Sequence, residues 1–213
     1  MTHVFWDWNG TLLDDTRAAV DTLNIMLARR GGSPVAMDFY RDHFAFPVRP
    51  FYEAIGVCLE NEDWDALARE YHDVYAVQPK RLNAEAIAAL ERVKAAGARQ
   101  SIISALRQDL LEEITCRLGV AKYMDYVYGV DNLDGLSKVD RARSLLSAVR
   151  GSSPPGDLSL VLIGDALHDK EVADALGARC VLCAQGSHAA WRLRAAAPTG
   201  DTLLDAVRLA LGA

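Results

Sequence analysis

Five polar side chains lie where predicted strands give way to turns or helices. Asp7 directly follows an apolar strand pattern, and Asp165 follows the most apolar run of the chain. Ser104 ends another predicted strand, Lys138 opens a predicted helix, and Asp169 lies one helical turn beyond Asp165. Ligands bind at the carboxyl edge of a parallel sheet. We therefore expect these residues, far apart in sequence, to meet at one site.

The chemical types of these side chains fit the binding and transfer of a phosphoryl group. Crowded carboxylates repel one another and require a hard cation, and Mg²⁺ suits a carboxylate site shared with water and phosphate. Lys138 can neutralise a substrate anion, and the Ser104 hydroxyl can bind a phosphate oxygen. Asp7 can attack phosphorus to give an aspartyl phosphate. Taken singly, an Asp at a helix start is more often a cap, so the joint occurrence of these residues carries the inference.

Short apolar strands alternate with amphipathic helices over most of the chain. This alternation predicts an α/β fold with a parallel sheet covered by helices on both faces. The predicted strands cover residues 4–8, 100–104, 126–130, 158–163 and 179–183, and the predicted helices 84–96, 107–118, 138–149, 169–176 and from about 201.

One segment interrupts the alternation, because no strand pattern occurs between Asp14 and Pro79. Helical patterns cover residues 14–30 and 64–78, and an irregular, aromatic stretch covers 33–60. The prediction is a core domain of residues 1–14 and 80–213 with a helical cap domain of residues 15–79.

Composition limits the classes of function. The chain has 213 residues, of which 51% are hydrophobic. Because its net charge is −6, a basic surface that binds nucleic acid or an anionic membrane is not expected. No secretory signal is visible at the N-terminus, which favours a cytoplasmic location. Cys180 and Cys183 fall on a predicted strand, where positions three apart face opposite ways, so we expect ordinary thiols and not a metal site.

Four motifs resemble those of the haloacid dehalogenase superfamily. The stretch DWNGTLLD at residues 7–14 resembles the first, Ile103-Ser104 the second, Lys138 the third, and IGDALHD at residues 163–169 the fourth. A helical insertion between the first and second motifs is similar to the C1-cap subgroup, which includes phosphoglycolate phosphatase-like enzymes.

The resemblance implies a Rossmann-like three-layer core, a mobile cap and Mg²⁺-dependent phosphoryl transfer. It implies that Asp7 is the nucleophile and that Asp165 binds the metal with Asp7 and the backbone carbonyl of Asn9, while Asp169 supports the metal site. The substrate-binding residues expected from the motifs are Gly10, Thr11, Ser104, Ala105 and Lys138.

Asn9 departs from the family pattern, in which an aspartate two residues after the nucleophile acts as general acid and base. A carboxamide can hydrogen-bond but cannot shuttle a proton, and general acid–base catalysis contributes ~10²–10⁴-fold. The chain is then a slow phosphatase suited to good leaving groups, or a phosphate- or partner-binding protein with vestigial chemistry. A third interpretation is that Asn9 deamidates to Asp in some molecules. Asn9→Asp is expected to raise turnover of an alkyl phosphate at least about tenfold.

Two other branches of the superfamily are less favoured. Dehalogenation is one alternative, but the chain keeps both Asp165 and Asp169, which favour a cation. A phosphonoacetaldehyde hydrolase needs a cap lysine, and residues 15–79 contain none.

Weaker expectations concern the cap and two histidines. Arg49 is the cap candidate for gripping a second anionic group of a small phosphorylated substrate. Phe44 and Phe46 are expected to pack within the cap, although the aromatic cluster could also form a homodimer surface. We expect His168 to face solvent at a helix start. His188 is expected to lie on a surface loop, with a place at the border of the site as the alternative.

Overall fold

The computed structural model describes residues 1–130, 138–152 and 158–212. Its strands are β1 Thr2–Trp6, β2 Leu13–Asp14, β3 Arg81–Leu82, β4 Arg99–Arg107, β5 Tyr126–Val130, β6 Ser159–Gly164, β7 Arg179–Cys183 and β8 Thr199–Gly200. Six of them form one parallel sheet in the order β5-β4-β1-β6-β7-β8, and β2 pairs antiparallel with β3. The predicted α/β fold with a parallel sheet is confirmed.

Helices cover both faces of the sheet and fill the segment before β3. They are α1 Thr16–Arg29, α2 Met37–His43, α3 Arg49–Ala54, α4 Trp64–Val77, α5 Ala86–Ala95, α6 Gln108–Arg117, α7 Lys138–Gly151, α8 Leu167–Leu176, α9 Ala190–Ala196 and α10 Leu203–Leu211. Short 3₁₀ turns occur at Leu59–Asn61 and Ala121–Tyr123. Among the described residues, no helix is both long and apolar enough to cross a membrane.

The central strand β1 carries apolar residues that face both sides of the sheet. Val4 and Trp6 belong to the hydrophobic cluster on one face of the sheet, whereas Phe5 belongs to the cluster on the other. All three side chains are fully buried, because successive residues of a strand point to opposite faces and both faces carry helices. This burial fixes the position of Asp7, which comes directly after β1.

The helical segment between β2 and β3 has a hydrophobic cluster of its own. Its buried members are Ala19, Val20, Leu23, Met26, Leu27, Val35, Tyr40, Phe51, Tyr52, Val57 and Leu67. The β2–β3 pair brings the two ends of the segment side by side, with Arg81 donating to Asp14 at 2.9 Å. These observations support a cap at residues 15–79, and its treatment as a separate domain remains our proposal.

Three local expectations differ from the structure. Residues 33–60 are not irregular throughout, since α2 and α3 lie there; both have seven residues or fewer, too short for a clear helical period. Strand β4 continues past Ser104 to Arg107, with a shift in its pairing to β5 after Ile103. The elements α9 and β8 before the terminal helix were not predicted.

Candidate active site

The carboxyl edge of the sheet brings three carboxylates and one ammonium together. Asp7 follows β1, Asp165 follows β6, and Asp169 lies in the first turn of α8; each offers an oxygen within 4.8 Å of the others. Lys138, the first residue of α7, donates to Asp7 Oδ1 at 2.6 Å and to Asp169 Oδ1 at 2.7 Å. All four side chains are buried. Lys138 is therefore a partner of buried carboxylates and not a solvated residue at a helix start.

Asp169 is held on both of its oxygens. While Oδ1 accepts from Lys138, Oδ2 accepts from the backbone N–H groups of Asp165 and Ala166, each at 3.0 Å. The backbone at Gly164 makes room for this carboxylate, because a Cβ there would lie 2.3 Å from Asp169 Oδ2. Asp169 thus orients Lys138 and the turn that carries Asp165.

Asp165 is enclosed by backbone from two loops. Its Oδ1 accepts from the Thr11 hydroxyl at 3.0 Å, and its Oδ2 accepts from the N–H of Ser187 at 2.6 Å. A Cβ at Gly10 or at Gly186 would lie 2.2 or 2.1 Å from Asp165 Oδ2. Only glycine permits this approach, and Gly10 also has a φ of +80°.

Burial and neighbouring charges shift the pKa values of the four buried groups, and the direction of the shift differs from group to group. Burial raises the pKa of Asp7 well above its usual value, although Lys138 opposes the shift, and burial with the nearby Asp169 raises the pKa of Asp165 to about 6. Burial would raise the pKa of Asp169 as well, but Lys138 holds it below the ordinary range. Burial lowers the pKa of Lys138, and Asp169 and Asp7 more than reverse this effect. With one ammonium against three carboxylates, the donor set fits a hard divalent cation.

Asn9 lies in the turn after β1 and faces two different sets of partners. Its Nδ2 donates to Asp15 Oδ2 at 2.7 Å and to the Tyr75 hydroxyl at 3.1 Å, and its Oδ1 lies 3.5 Å from Ser104 Oγ. The other oxygen of Asp15 accepts from the N–H of Gly10 at 2.7 Å. Tyr75 also donates to Asp15. Burial raises the pKa of Asp15, and these hydrogen bonds oppose the rise.

The loop after β7 joins the site to the helical segment. Arg41, in α2, donates to the carbonyl oxygens of Gly186 at 3.1 Å and Gln185 at 3.3 Å, and its own carbonyl accepts from the N–H of Ala189 at 3.0 Å. Since Ser187 in the same loop binds Asp165, one loop contacts both α2 and the carboxylate cluster.

Comparison with known proteins identifies the family of this fold and site. The family model of the haloacid dehalogenase-like hydrolases matches residues 4–183. The chain belongs to this family. A phosphoglycolate phosphatase of Caulobacter vibrioides is 29% identical over 184 residues, which is 83% of this chain and 74% of that protein.

Solved structures agree with the haloacid dehalogenase-like fold. A predicted phosphatase from Clostridium acetobutylicum is 17% identical with a TM-score of 0.76, covering 100% of this chain and 99% of its own. Protein tyrosine kinase A of Mycobacterium tuberculosis is 23% identical with a TM-score of 0.78, covering 99% and 98%. At these identities the likeness concerns the fold alone, and the differing names show that the reaction must be argued from the site.

The structure brings most of the expected site residues into contact at the carboxyl edge of the sheet. Asp7, Lys138, Asp165 and Asp169 form the buried cluster, and the Thr11 hydroxyl lies 3.4 Å from Asp7 Oδ2 and 3.0 Å from Asp165 Oδ1. Ser104 contacts Asn9, with 3.5 Å between Ser104 Oγ and Asn9 Oδ1. Ala105 follows Ser104 in β4 and is half-buried. Arg49 begins α3 and lies over the ring of Trp64 at 4.3 Å, a contact within the helical segment. Its substrate-gripping role remains a prediction.

Four residues near the site were missed by sequence analysis or were placed differently from the structure. His188 is 1% exposed and accepts from the N–H of Leu167 at 3.1 Å, so its assignment to a surface loop was wrong. Its place after β7, at the same sheet edge, was the available signal. His168 is half-buried against Phe46 and pairs with Glu171 at 2.8 Å. Asp15 and Tyr75 carry no motif signal that would join them to Asn9.

Proposed function

We propose that the chain is a Mg²⁺-dependent phosphatase that hydrolyses a small phosphorylated metabolite through an aspartyl phosphate at Asp7. The observation that carries the proposal is the buried Lys138 ammonium between Asp7 and Asp169, beside Asp165. A cation beside a nucleophilic carboxylate is what an incoming phosphate dianion needs. The name of the Caulobacter relative supports a phosphate ester as substrate.

The two oxygens of Asp7 differ in their surroundings, which suggests the attacking atom. Lys138 holds Oδ1, whereas the described polar neighbour of Oδ2 is the Thr11 hydroxyl at 3.4 Å. Oδ2 attacks phosphorus, and the bond from phosphorus to the ester oxygen breaks. Water then attacks the phosphorus of the aspartyl phosphate, the bond to Oδ2 breaks, and inorganic phosphate leaves with Asp7 regenerated.

Charge that develops on the phosphoryl oxygens is met by donors of the chain. Lys138 supplies an ammonium and Ser104 supplies a hydroxyl. The carboxylates of Asp7 and Asp165 and the backbone carbonyl of Asn9 would hold the Mg²⁺. Asp169 would orient the turn that carries Asp165. The cation would neutralise phosphoryl charge and keep Asp7 ionised despite its burial.

The leaving group receives no proton from Asn9, because a carboxamide is not an acid. Aryloxide and carboxylate leaving groups depart as stable anions without protonation, so we propose that aryl and acyl phosphates are hydrolysed faster than alkyl phosphates. Residues 15–79 close over the site and exclude water during transfer. A cytoplasmic location remains part of this proposal, and the four free cysteines suit a reducing compartment.

The test uses 4-nitrophenyl phosphate with and without Mg²⁺, and compares the wild type with Asp7→Asn. Asp109→Asn is the matched control, since Asp109 is an exposed carboxylate paired with Arg107. We expect Asp7→Asn to lose about 10³-fold or more in turnover and Asp109→Asn to keep it.

Equal background turnover in the wild type and Asp7→Asn would instead indicate a phosphate- or partner-binding protein. Halide release from a 2-haloacid that persists with a chelator would indicate a dehalogenase. Either result overturns the proposal.

A further inference from the structure

The side chain of Asp15 does not act as a helix cap, although it is the N-cap residue of α1. Its carboxylate turns back toward the loop after β1, where one oxygen accepts from the Gly10 N–H and the other from Asn9 Nδ2, both at 2.7 Å. Asp15 is 5% exposed, so these bonds lie in a buried environment. A helix that begins with an uncapped, buried carboxylate gives up a common source of stability, which points to another role for this residue.

The charge of Asp15 decides which way the Asn9 carboxamide faces. An ionised carboxylate only accepts hydrogen bonds, so the NH₂ group of Asn9 must be the end that faces it. The oxygen of the amide is then directed to the opposite side, toward Ser104 Oγ at 3.5 Å. Tyr75 reinforces this orientation, because its hydroxyl also accepts from Asn9 Nδ2 and donates to Asp15.

We propose that Asp15 is a positioning residue that holds the side-chain oxygen of Asn9 (Oδ1) toward Ser104, the expected phosphate-binding hydroxyl, and that residues 9 and 15 work as a matched amide–carboxylate pair. Asn9 Oδ1 is then a hydrogen-bond acceptor with a fixed position on the side of the site where Ser104 lies, and it does not take a proton. This inference rests on the proposed phosphatase function.

The pair gives a physical reason for the amide at position 9. A carboxyl group at that position would place an oxygen about where Asn9 Nδ2 now lies, within hydrogen-bond distance of Asp15, so the two groups could not both be ionised without strong repulsion. Like charges at that distance in a buried site repel strongly. The expectation that Asn9→Asp alone raises turnover is therefore revised: the gain requires that position 15 lose its charge at the same time.

The test is a double-mutant cycle of Asn9→Asp, Asp15→Asn and the double variant. In the double variant the amide at position 15 can donate to the carboxylate at position 9 and still accept from the Gly10 N–H. The hydrogen bonds are then kept with the polarity reversed. Asp21→Asn is the matched control, because Asp21 lies in the same helix and pairs with Arg17 at the surface. Two readouts are used, the melting temperature of the metal-free proteins and steady-state kinetics with Mg²⁺.

In the metal-free protein we expect Asn9→Asp to lower the melting temperature by roughly 4 °C or more, and the double variant to recover most of the loss. With 4-nitrophenyl phosphate, Asp15→Asn should lower kcat about tenfold with little change in KM, since Asn9 no longer has a fixed orientation. With ethyl phosphate, the double variant should exceed both single variants and the wild type in kcat by about tenfold or more. Asp21→Asn should match the wild type in both readouts.

The positioning role is overturned if the effects at positions 9 and 15 are independent in both readouts, or if Asn9→Asp alone gives the full gain with ethyl phosphate. Failure of the proposed function looks different. In that case Asp7→Asn and the wild type have equal turnover, while the melting temperatures still test the pair.

Discussion

The Lys138 ammonium lies 2.6 Å from Asp7 Oδ1, although 131 positions separate the two residues in sequence. The two side chains are only 5% and 7% exposed. A buried ammonium between carboxylates is costly unless its partners are fixed, and here the backbone bonds to Asp169 fix one of them. The relationship ties the end of β1 to the start of α7 and α8.

Replacing Lys138 by Met should remove both activity and stability. The change leaves the buried carboxylates of Asp7 and Asp169 without their cation, which typically costs roughly 3–5 kcal/mol. We also expect turnover of 4-nitrophenyl phosphate to fall about 10²-fold or more. Urea unfolding in a chelator and steady-state kinetics measure the two effects. Lys170→Met is the control, since Lys170 pairs with Asp174 at the surface of α8; equal losses in both variants would contradict the prediction.

Stabilisation by Mg²⁺ should depend on pH through Asp165. Its pKa in the folded, metal-free protein is about 6, against an ordinary value of 3.8. Since the folded state holds this proton more tightly than the unfolded state, the metal-free protein loses stability as pH rises through that window. Mg²⁺ binds the ionised carboxylate, so it should raise the melting temperature more at about pH 7.5 than at about pH 5. Asp165→Asn should lose this difference, and equal shifts at both pH values would count against the prediction.

Gly186→Ala should impair the site without disturbing the fold elsewhere. A Cβ at this position would lie 2.1 Å from Asp165 Oδ2, so the carboxylate must move. Moving a metal-binding carboxylate by about 1 Å can lower kcat/KM about 10²-fold. Gly151→Ala is the control, because nothing lies within 4 Å of a Cβ there and its φ is not positive. The prediction fails if Gly186→Ala retains wild-type kinetics.

Arg41→Ala should loosen the contact between α2 and the loop after β7. The change removes the guanidinium bonds to the carbonyl oxygens of Gly186 and Gln185, each worth about 1 kcal/mol. Hydrogen exchange of the Ala189 amide, which donates to the Arg41 carbonyl, should become roughly tenfold faster. Arg17→Ala, which breaks a surface pair within α1, should leave that exchange rate unchanged. Unaltered exchange in Arg41→Ala would show that these bonds do not hold the two elements together.

Most of the fold followed from local pattern. We could predict β1, β6 and the helices between the strands from the sequence. Their buried positions recur at a regular spacing that is visible in neighbouring residues. The short α2 and α3 were not predictable, since a helix of two turns shows too few repeats, and their burial comes from packing among Tyr40, Phe44 and Phe51.

The residues of the candidate site were likewise predictable only in part. Asp7, Ser104, Lys138 and Asp165 were predictable because the carboxyl ends of parallel strands meet at one edge. Asp15 and His188 were not predictable as site residues, because their contacts depend on how the helical segment and the loop after β7 pack at the edge of the sheet.

By itself, the sequence determined the alternation of strands and helices in the core, the expectation that Asp7, Ser104, Lys138 and Asp165 lie at one sheet edge, and the amide at position 9. Only the tertiary structure decided that Asp15 and Tyr75 would surround that amide and set its orientation. Tyr75 lies 66 positions from Asn9, and no local periodicity encodes the distance between side chains on separate elements. That distance is the outcome of packing the whole chain.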